Sequence, residues 1–260
     1  MSSVDLSTKN WPDCIHKAEL DVFHLADEGR EPRTVCGYSM SSGSTFACKA
    51  DFTLVNKDRE ESIVPDFDFH LSVGLTGVVD TEGVDNFTLR FRVVDYTAQL
   101  DGSKLPSLVG LTGTVFRSAQ GIARKVVWVP SGLMATEQIE QLTAVVTQGV
   151  PILPEKAIGV GAIWFVGRHF MISSRVVLQR TKVEVLSIAE GVLVTSNTIE
   201  QFVVGEGFRQ TGWGKCVLDP TLAFPVRAFG SVGCAAGSAI CTVEVDWRTE
   251  KSLKSQNERP

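Results

Sequence analysis

The chain has 260 residues, 43% of them hydrophobic, with 25 Lys and Arg against 30 Asp and Glu for a formal charge of −5. That apolar content is enough for a sizeable core, in one large β-rich domain or two smaller lobes, so the sequence describes a folded globular protein. A mildly acidic surface repels a phosphate backbone, and the single pair Arg124–Lys125 does not make a basic patch, which discounts nucleic-acid partners.

The first 44 residues carry few signals: Phe23 and His24 fit a short strand, and Ser39 to Thr45 has the composition of a turn. The start lacks a basic region followed by an apolar run, so no secretory signal is read and a cytoplasmic location is expected. A native leader replaced by the start Met would instead make the protein periplasmic or place it at the cell surface. No stretch reaches the roughly 18 uninterrupted apolar residues of a membrane-spanning helix.

A β-rich domain is expected over 45–248. From Thr45 to Val55, Phe46, Cys48, Ala50, Phe52 and Leu54 alternate with polar neighbours. Phe69, Leu71, Val73 and Leu75 repeat the pattern, as do Phe87, Leu89, Phe91 and Val93, which predicts antiparallel strands wet on one side. Two further strands fit between Val109 and Val129, turning at Ser118 to Gly121.

The period then changes. Ile139, Leu142, Val145 and Val146 recur at helical steps from Ala135 to Gln148, with Thr136 or Ser131 as cap and Gly149 with Pro151 as stop. The β-branched Thr143, Val145, Val146 and Thr147 lower its intrinsic propensity, so this central helix must be held by packing on the sheet.

A Pro/Gly junction occupies 134–164 together with the helix and ends in LPEKAIGVGAIW, Leu153 to Trp164. Pro154 stops a helix, Gly159 and Gly161 allow a turn or a close approach of backbones, and Trp164 is a large anchor. Strands are then expected at Trp164–Val166, Met171–Gln179, Thr181–Ile188, Val192–Val203, Phe208–Leu218 and Cys241–Trp247, with Glu190-Gly191 as a hairpin turn. Residues 249–260 read as a polar tail. The expected fold is thus mainly β: an antiparallel curved sheet or two-lobed half-barrel with one central helix at about 135–148.

The phrase LPEKAIGVGAIW resembles L-P-x-x-x-V-G-x-G-A-x-W, found in mid-chain in an uncharacterised family of bacterial β-rich proteins, often lipoproteins; Ile158 stands where Val is usual. GWGKCVLDPTLAFPV, Gly212 to Val226, is similar to that family's glycine-rich strand followed by an aspartate-led turn before a proline. The resemblance implies an antiparallel fold akin to lipoprotein carriers, with a curved sheet plugged by a helix, and it brings no catalytic residues. Cys14 follows NWPD without an apolar run, which departs from the lipoprotein pattern.

Six cysteines, Cys14, Cys36, Cys48, Cys216, Cys234 and Cys241, show no metal-ligand spacing. Cys36 with Cys48 and Cys234 with Cys241 fit hairpin staples in an oxidising compartment; buried free thiols are the plainer reading. His16, His24, His70 and His169 are far apart, and His70 reads as a surface residue beside Asp68. Ser42 and Ser44 flank Gly43 as turn residues, not as a nucleophile elbow. Asp66 with Asp68 and Asp80 with Glu82 read as solvated charge, and Gly159-Val160-Gly161 and Gly205-Glu206-Gly207 are incomplete nucleotide fingerprints. The sequon Asn86-Phe87-Thr88 opens an inward-facing strand and is discounted.

Phe46, Phe52, Phe69, Phe87, Phe91, Trp128, Trp164, Phe202, Trp213 and Trp247 remain as candidates to line a concave cavity or to fill a close-packed core. The expected function is a non-catalytic binding protein for a hydrophobic or amphipathic small molecule or lipid, with no cofactor and no metal. A scaffold protein with a filled core is the alternative, and an unrecognised hydrolase the third.

Overall fold

In the computed structural model, the described residues are 22–58, 67–82, 86–129, 136–172, 175–203, 209–234 and 239–250. They form a 13-stranded antiparallel sheet and one helix. The strands are β1 (Val22–Asp27), β2 (Thr45–Asp58), β3 (Phe67–Glu82), β4 (Asn86–Leu100), β5 (Ser103–Lys104), β6 (Thr112–Ser118) and β7 (Ala123–Val129). Helix α1 (Thr136–Gln148) follows, then β8 (Ile163–Ile172), β9 (Arg175–Ala189), β10 (Val192–Val203), β11 (Arg209–Leu218), β12 (Arg227–Cys234) and β13 (Ala239–Glu250).

The strand order is β1-β8-β9-β10-β11-β12-β13-β2-β3-β4-β6-β7, with β5 paired to β4. Pairing of β13 with β2 fuses the halves before and after α1 into one sheet, and β1 adds the N-terminal segment to the β8 edge. The sheet is strongly curved. β3 and β8 lie seven strand spacings apart, about 34 Å in a flat sheet, yet Phe69 and Val166 face one cavity.

The predicted alternation places the core. Phe46, Cys48 and Ala50 on β2, Phe69, Leu71, Val73 and Leu75 on β3, and Phe87, Leu89, Phe91 and Val93 on β4 are all buried. On β4 the inward phase then shifts to Tyr96 and Ala98, because a bulge inserts Val94 opposite the Gly74–Leu75 step. Val94 and Asp95 both point outward there, and a Cβ on Gly74 would lie 3.0 Å from the Asp95 Cβ.

Helix α1 buries Gln138, Leu142, Val145 and Val146, spaced as one helical face. Each apolar member contributes about 2 kcal/mol, which offsets the weak propensity of the segment. Its threonines satisfy their hydroxyls within the helix, Thr143 on the Ile139 carbonyl at 2.7 Å and Thr147 on that of Thr143 at 2.8 Å. Trp128 Nε1 donates to Thr143 Oγ1 at 2.9 Å, tying β7 to the helix.

LPEKAIGVGAIW is a packed junction. Leu153, Ile158, Ala162 and Trp164 are buried, and Trp164 Nε1 donates to the Ile152 carbonyl at 2.9 Å. The phrase runs against residues 28–34: Thr34 and Ile158 form a bridge, and Gly159 N donates to the Glu28 carbonyl at 2.8 Å. A Cβ on Gly159 would lie 1.8 Å from the Arg30 carbonyl oxygen, so only glycine fits.

One expected strand break is corrected and two strands are added. The break placed at Gln179–Thr181 lies inside β9; β8 and β9 instead meet where Ile172 faces Arg175, since no turn-forming residue stands at Arg180. β12, absent from the sequence reading, runs from Arg227 to Cys234. The short β5 was also absent from it. Cys36, Cys48 and Cys216 are buried free thiols, the plainer of the two readings of the sequence. Cys14 and the side chains of Cys234 and Cys241 lie outside the described part.

Candidate functional site

Beneath α1 the inner face of the curved sheet lines a half-open cavity of about 250 Å³. Strand alternation sends Val166 and Arg168 of β8, Gln179, Thr181 and Val183 of β9, and Asn197, Ile199 and Gln201 of β10 to its wall. β11 and β12 add Gly214, Cys216, Ala228, Gly230 and Val232, and Phe52, Phe69 and Leu71 close the far side. Gln141, Ala144 and Val145 of α1, with Gly149 to Ile152, form the roof.

The cavity exists because these walls are small. Ala144, Gly149, Gly214, Cys216, Ala228 and Gly230 stand where larger side chains would meet across the interior. Glycine also lets β11 and β12 sit tightly: a Cβ on Gly214 would lie 3.0 Å from the Phe229 carbonyl oxygen, and one on Gly230 3.2 Å from that of Trp213. An apolar cavity of about 150 Å³ takes a benzene-sized guest, so this one has room for on the order of ten heavy atoms.

The polar groups on the wall are mostly neutral. Gln201 Nε2 donates to Gln179 Oε1 at 2.8 Å, and Gln179 Nε2 to Thr181 Oγ1 at 3.3 Å. Thr195 Oγ1 donates to Asn197 Oδ1 at 3.3 Å. Gln141 Oε1 is buried and has no hydrogen-bond partner.

Two buried arginines hold the roof. Arg168 Nη1 and Nη2 donate to the carbonyls of Thr147 at 3.1 Å and Val150 at 3.0 Å. Arg117 donates to the carbonyls of Gly121, at 3.0 Å, and Val146. The last turn of α1 has no basic residue of its own, so the sheet supplies the cations that its carbonyls and dipole favour. Burial pulls Arg117 down to about 9, with Tyr38 opposing and the charge of Arg168 adding to the shift. Burial pushes the Cys216 thiol up to about 12 and raises Cys48 as well, so neither is a thiolate near neutral pH.

The rings picked out by the sequence divide among several places. Phe52 and Phe69 line the cavity, 6.3 Å apart in an edge contact. Phe46, Phe87, Phe91 and Trp164 belong to the filled core beside it, and Trp128 packs edge-on to Phe91 at 5.3 Å. Phe202 is half-buried with the Arg180 guanidinium 4.5 Å above it, and Trp213 is 54% exposed, so neither lines the cavity. The side chain of Trp247 lies outside the described part.

The remaining candidates do not converge on the cavity. His70 Nε2 lies 2.8 Å from Asp68 Oδ1, and its Nδ1 is 3.1 Å from Thr53 Oγ1. This hydroxyl–imidazole–carboxylate chain follows from register, since Thr53 and His70 are direct cross-strand partners. It sits on the strand face opposite Phe52 and Phe69, with His70 and Asp68 half exposed and outside the cavity wall. Asp80 pairs with Arg90 at 2.6 Å. Gly43 turns with φ 80° beside Ser42 and Ser44, and Thr88 of the sequon is buried. His24 is exposed, His169 is half-buried, and His16, Asp66 and residues 205–207 lie outside the described residues. No group of three or more metal-ligating side chains gathers among the described residues.

A wider recess of about 460 Å³ lies between Arg30, Glu31 and Thr34 and the Glu190–Gly191 turn, with exposed charged rims. Among the described residues, no helix is long and apolar enough to cross a membrane. No protein-family model matches the chain, and no curated protein does.

Sequence reasoning missed the two arginines that hold the roof. Gly113, Val115 and Arg117 on β6, and Trp164, Val166 and Arg168 on β8, each end an inward alternation on an arginine. A cation on the apolar phase of a strand was the available signal, because such a charge needs buried acceptors.

Proposed function

We propose that this chain is a non-catalytic binding protein that holds a small hydrophobic or amphipathic molecule between α1 and the inner face of β8–β12. The observation that carries this reading is the apolar cavity itself, kept open by Ala144, Gly149, Gly214, Cys216, Ala228 and Gly230. Close packing is the ordinary state of a protein interior, and a guest in this half-open apolar space would take apolar wall out of water and make dispersion contacts with it. The few convergent polar groups among apolar walls match the usual composition of ligand sites.

Native mass spectrometry of the purified protein tests it. A small co-purifying molecule, lost on organic extraction together with a fall in melting temperature, supports the binding protein. A bare chain whose stability ignores added medium-chain alcohols and alkanes argues against it.

An interaction protein is the second reading, favoured by Trp213 and Phe229. These two rings are 54% and 39% exposed and pack edge-on 5.4 Å apart on the outer face of β11 and β12. Exposed aromatics of this kind are enriched at protein interfaces.

A further inference from the structure

From the strand register of the same cavity we infer that its ligand is a single-headed amphiphile bound in one orientation. Its head is a hydroxyl, carbonyl or carboxylate oxygen seated on the Gln179–Gln201 amide pair, and its apolar body, of on the order of ten heavy atoms, runs over Val183, Gly214, Cys216 and Gly230. The inference rests on the reading of the cavity as a ligand site and names the class of molecule and the subsite that takes its head.

Gln179 and Gln201 are direct cross-strand partners on the cavity side of β9 and β10, and Arg168 of β8 stands opposite Gln179 in the same row. Gln201 Nε2 donates to Gln179 Oε1 at 2.8 Å, and Gln179 Nε2 to Thr181 Oγ1 at 3.3 Å. Those bonds use one N–H of each amide; the second N–H of each and the Gln201 Oε1 acceptor take no partner among the described residues. The pair offers donors and an acceptor together, and turning either amide over keeps that mixture. Both glutamines are half-buried. An apolar guest that covers them takes these groups out of water and returns no hydrogen bond, whereas an oxygen head restores one.

Away from this row the wall turns apolar. Val166 and Ile199 flank Thr181 in the next inward row, Val183, Gly214 and Gly230 follow, and Cys216 and Ala228 lie beyond them. Val183, Gly214 and Cys216 are buried where the glutamines are half-buried, so the amide pair marks the more accessible end. Asn197 interrupts the apolar part about 13 Å along β10 from Gln201, and its Oδ1 accepts from the buried Thr195 hydroxyl. Among the described wall residues there is no Asp or Glu, and Arg168 is a cation, so an ammonium head meets no counter-charge there.

The test is titration calorimetry with 1-octanol, n-octane and octylammonium on the full chain and on its Gln201→Leu, Gln179→Leu and Asn197→Leu variants. The expected result is that the ratio of 1-octanol to n-octane affinity falls about tenfold in each glutamine variant and changes less than about threefold in Asn197→Leu, with n-octane binding kept throughout. Octylammonium should bind the unmodified chain at least about tenfold more weakly than 1-octanol. A ratio unmoved by the glutamine variants, or one that falls as far in Asn197→Leu, overturns the head subsite and leaves the ligand site standing. Octylammonium binding as tightly as 1-octanol overturns the oxygen head in the same way. Failure of both 1-octanol and n-octane to bind overturns the ligand site as well. Should the glutamine variants not fold, the side-chain amide NMR signals of the unmodified chain decide. Saturating 1-octanol should shift those of Gln179 and Gln201 more than that of Asn197, and the reverse order overturns the head subsite.

Discussion

Arg117 on β6 and Arg168 on β8 reach the same end of α1 from strands at opposite ends of the sheet order. One donates to the Val146 carbonyl and the other to those of Thr147 and Val150. Both are buried. The negative end of the helix dipole favours both cations at this position.

Removing either arginine leaves carbonyls buried without donors. Arg117→Met is expected to lower unfolding stability by about 3 kcal/mol, and Arg168→Met by a similar amount. Because the two share one helix end, the double variant should depart from additivity by more than about 0.5 kcal/mol. Urea titrations of the four proteins measure the coupling; strict additivity would mean that each arginine serves a separate local contact.

The junction phrase makes a sharper distinction between its two glycines. Gly159→Ala drives a Cβ to 1.8 Å from the Arg30 carbonyl oxygen and should cost more than about 3 kcal/mol or prevent folding. Gly161 has φ +85° but nothing within 4 Å of its Cβ position, so Gly161→Ala carries only the left-handed backbone penalty of about 1–2 kcal/mol. Melting temperatures of the two variants should therefore differ clearly, with Gly159→Ala the lower.

Alkaline pH should weaken the fold through its thiols. Cys216 titrates near 9.0 in the unfolded chain and is pushed up to about 12 in the folded one, and Cys48 is raised too. Between those values the unfolded chain releases protons that the folded chain keeps. Stability is thus level below about pH 9 and falls as pH rises toward 12, by at most about 1.4 kcal/mol per pH unit for each thiol. Urea midpoints at pH 8 and pH 10.5 check this, and Cys216→Ala should make the alkaline decline shallower. An unchanged slope in that variant would assign the decline to other groups.

Much of the architecture could be read along the chain. The helix expected at 135–148 occupies Thr136–Gln148, and the strand expected at Val192–Val203 has those bounds. The first-half alternations of Phe46, Phe69 and Phe87 are inward as read, because each strand there buries one apolar face against the helix side. The site was harder to see for a physical reason. β12 presents Ala228, Gly230 and Val232 to the interior, and such small residues give little hydrophobic signal. What hid the strand from the sequence is what leaves room in the cavity. The large rings, which do signal strongly, went mainly to the filled core or the outer face.

The central claim, that the space beneath α1 is a binding site, is tested most directly by filling it from the roof. Ala144→Phe places a ring into the cavity from α1, and the measurement is the calorimetric affinity for 1-octanol beside the melting temperature. The account predicts binding weakened at least about tenfold with the melting temperature held or raised, since the new ring makes contacts the void lacks. Undiminished affinity in a folded Ala144→Phe protein would contradict it.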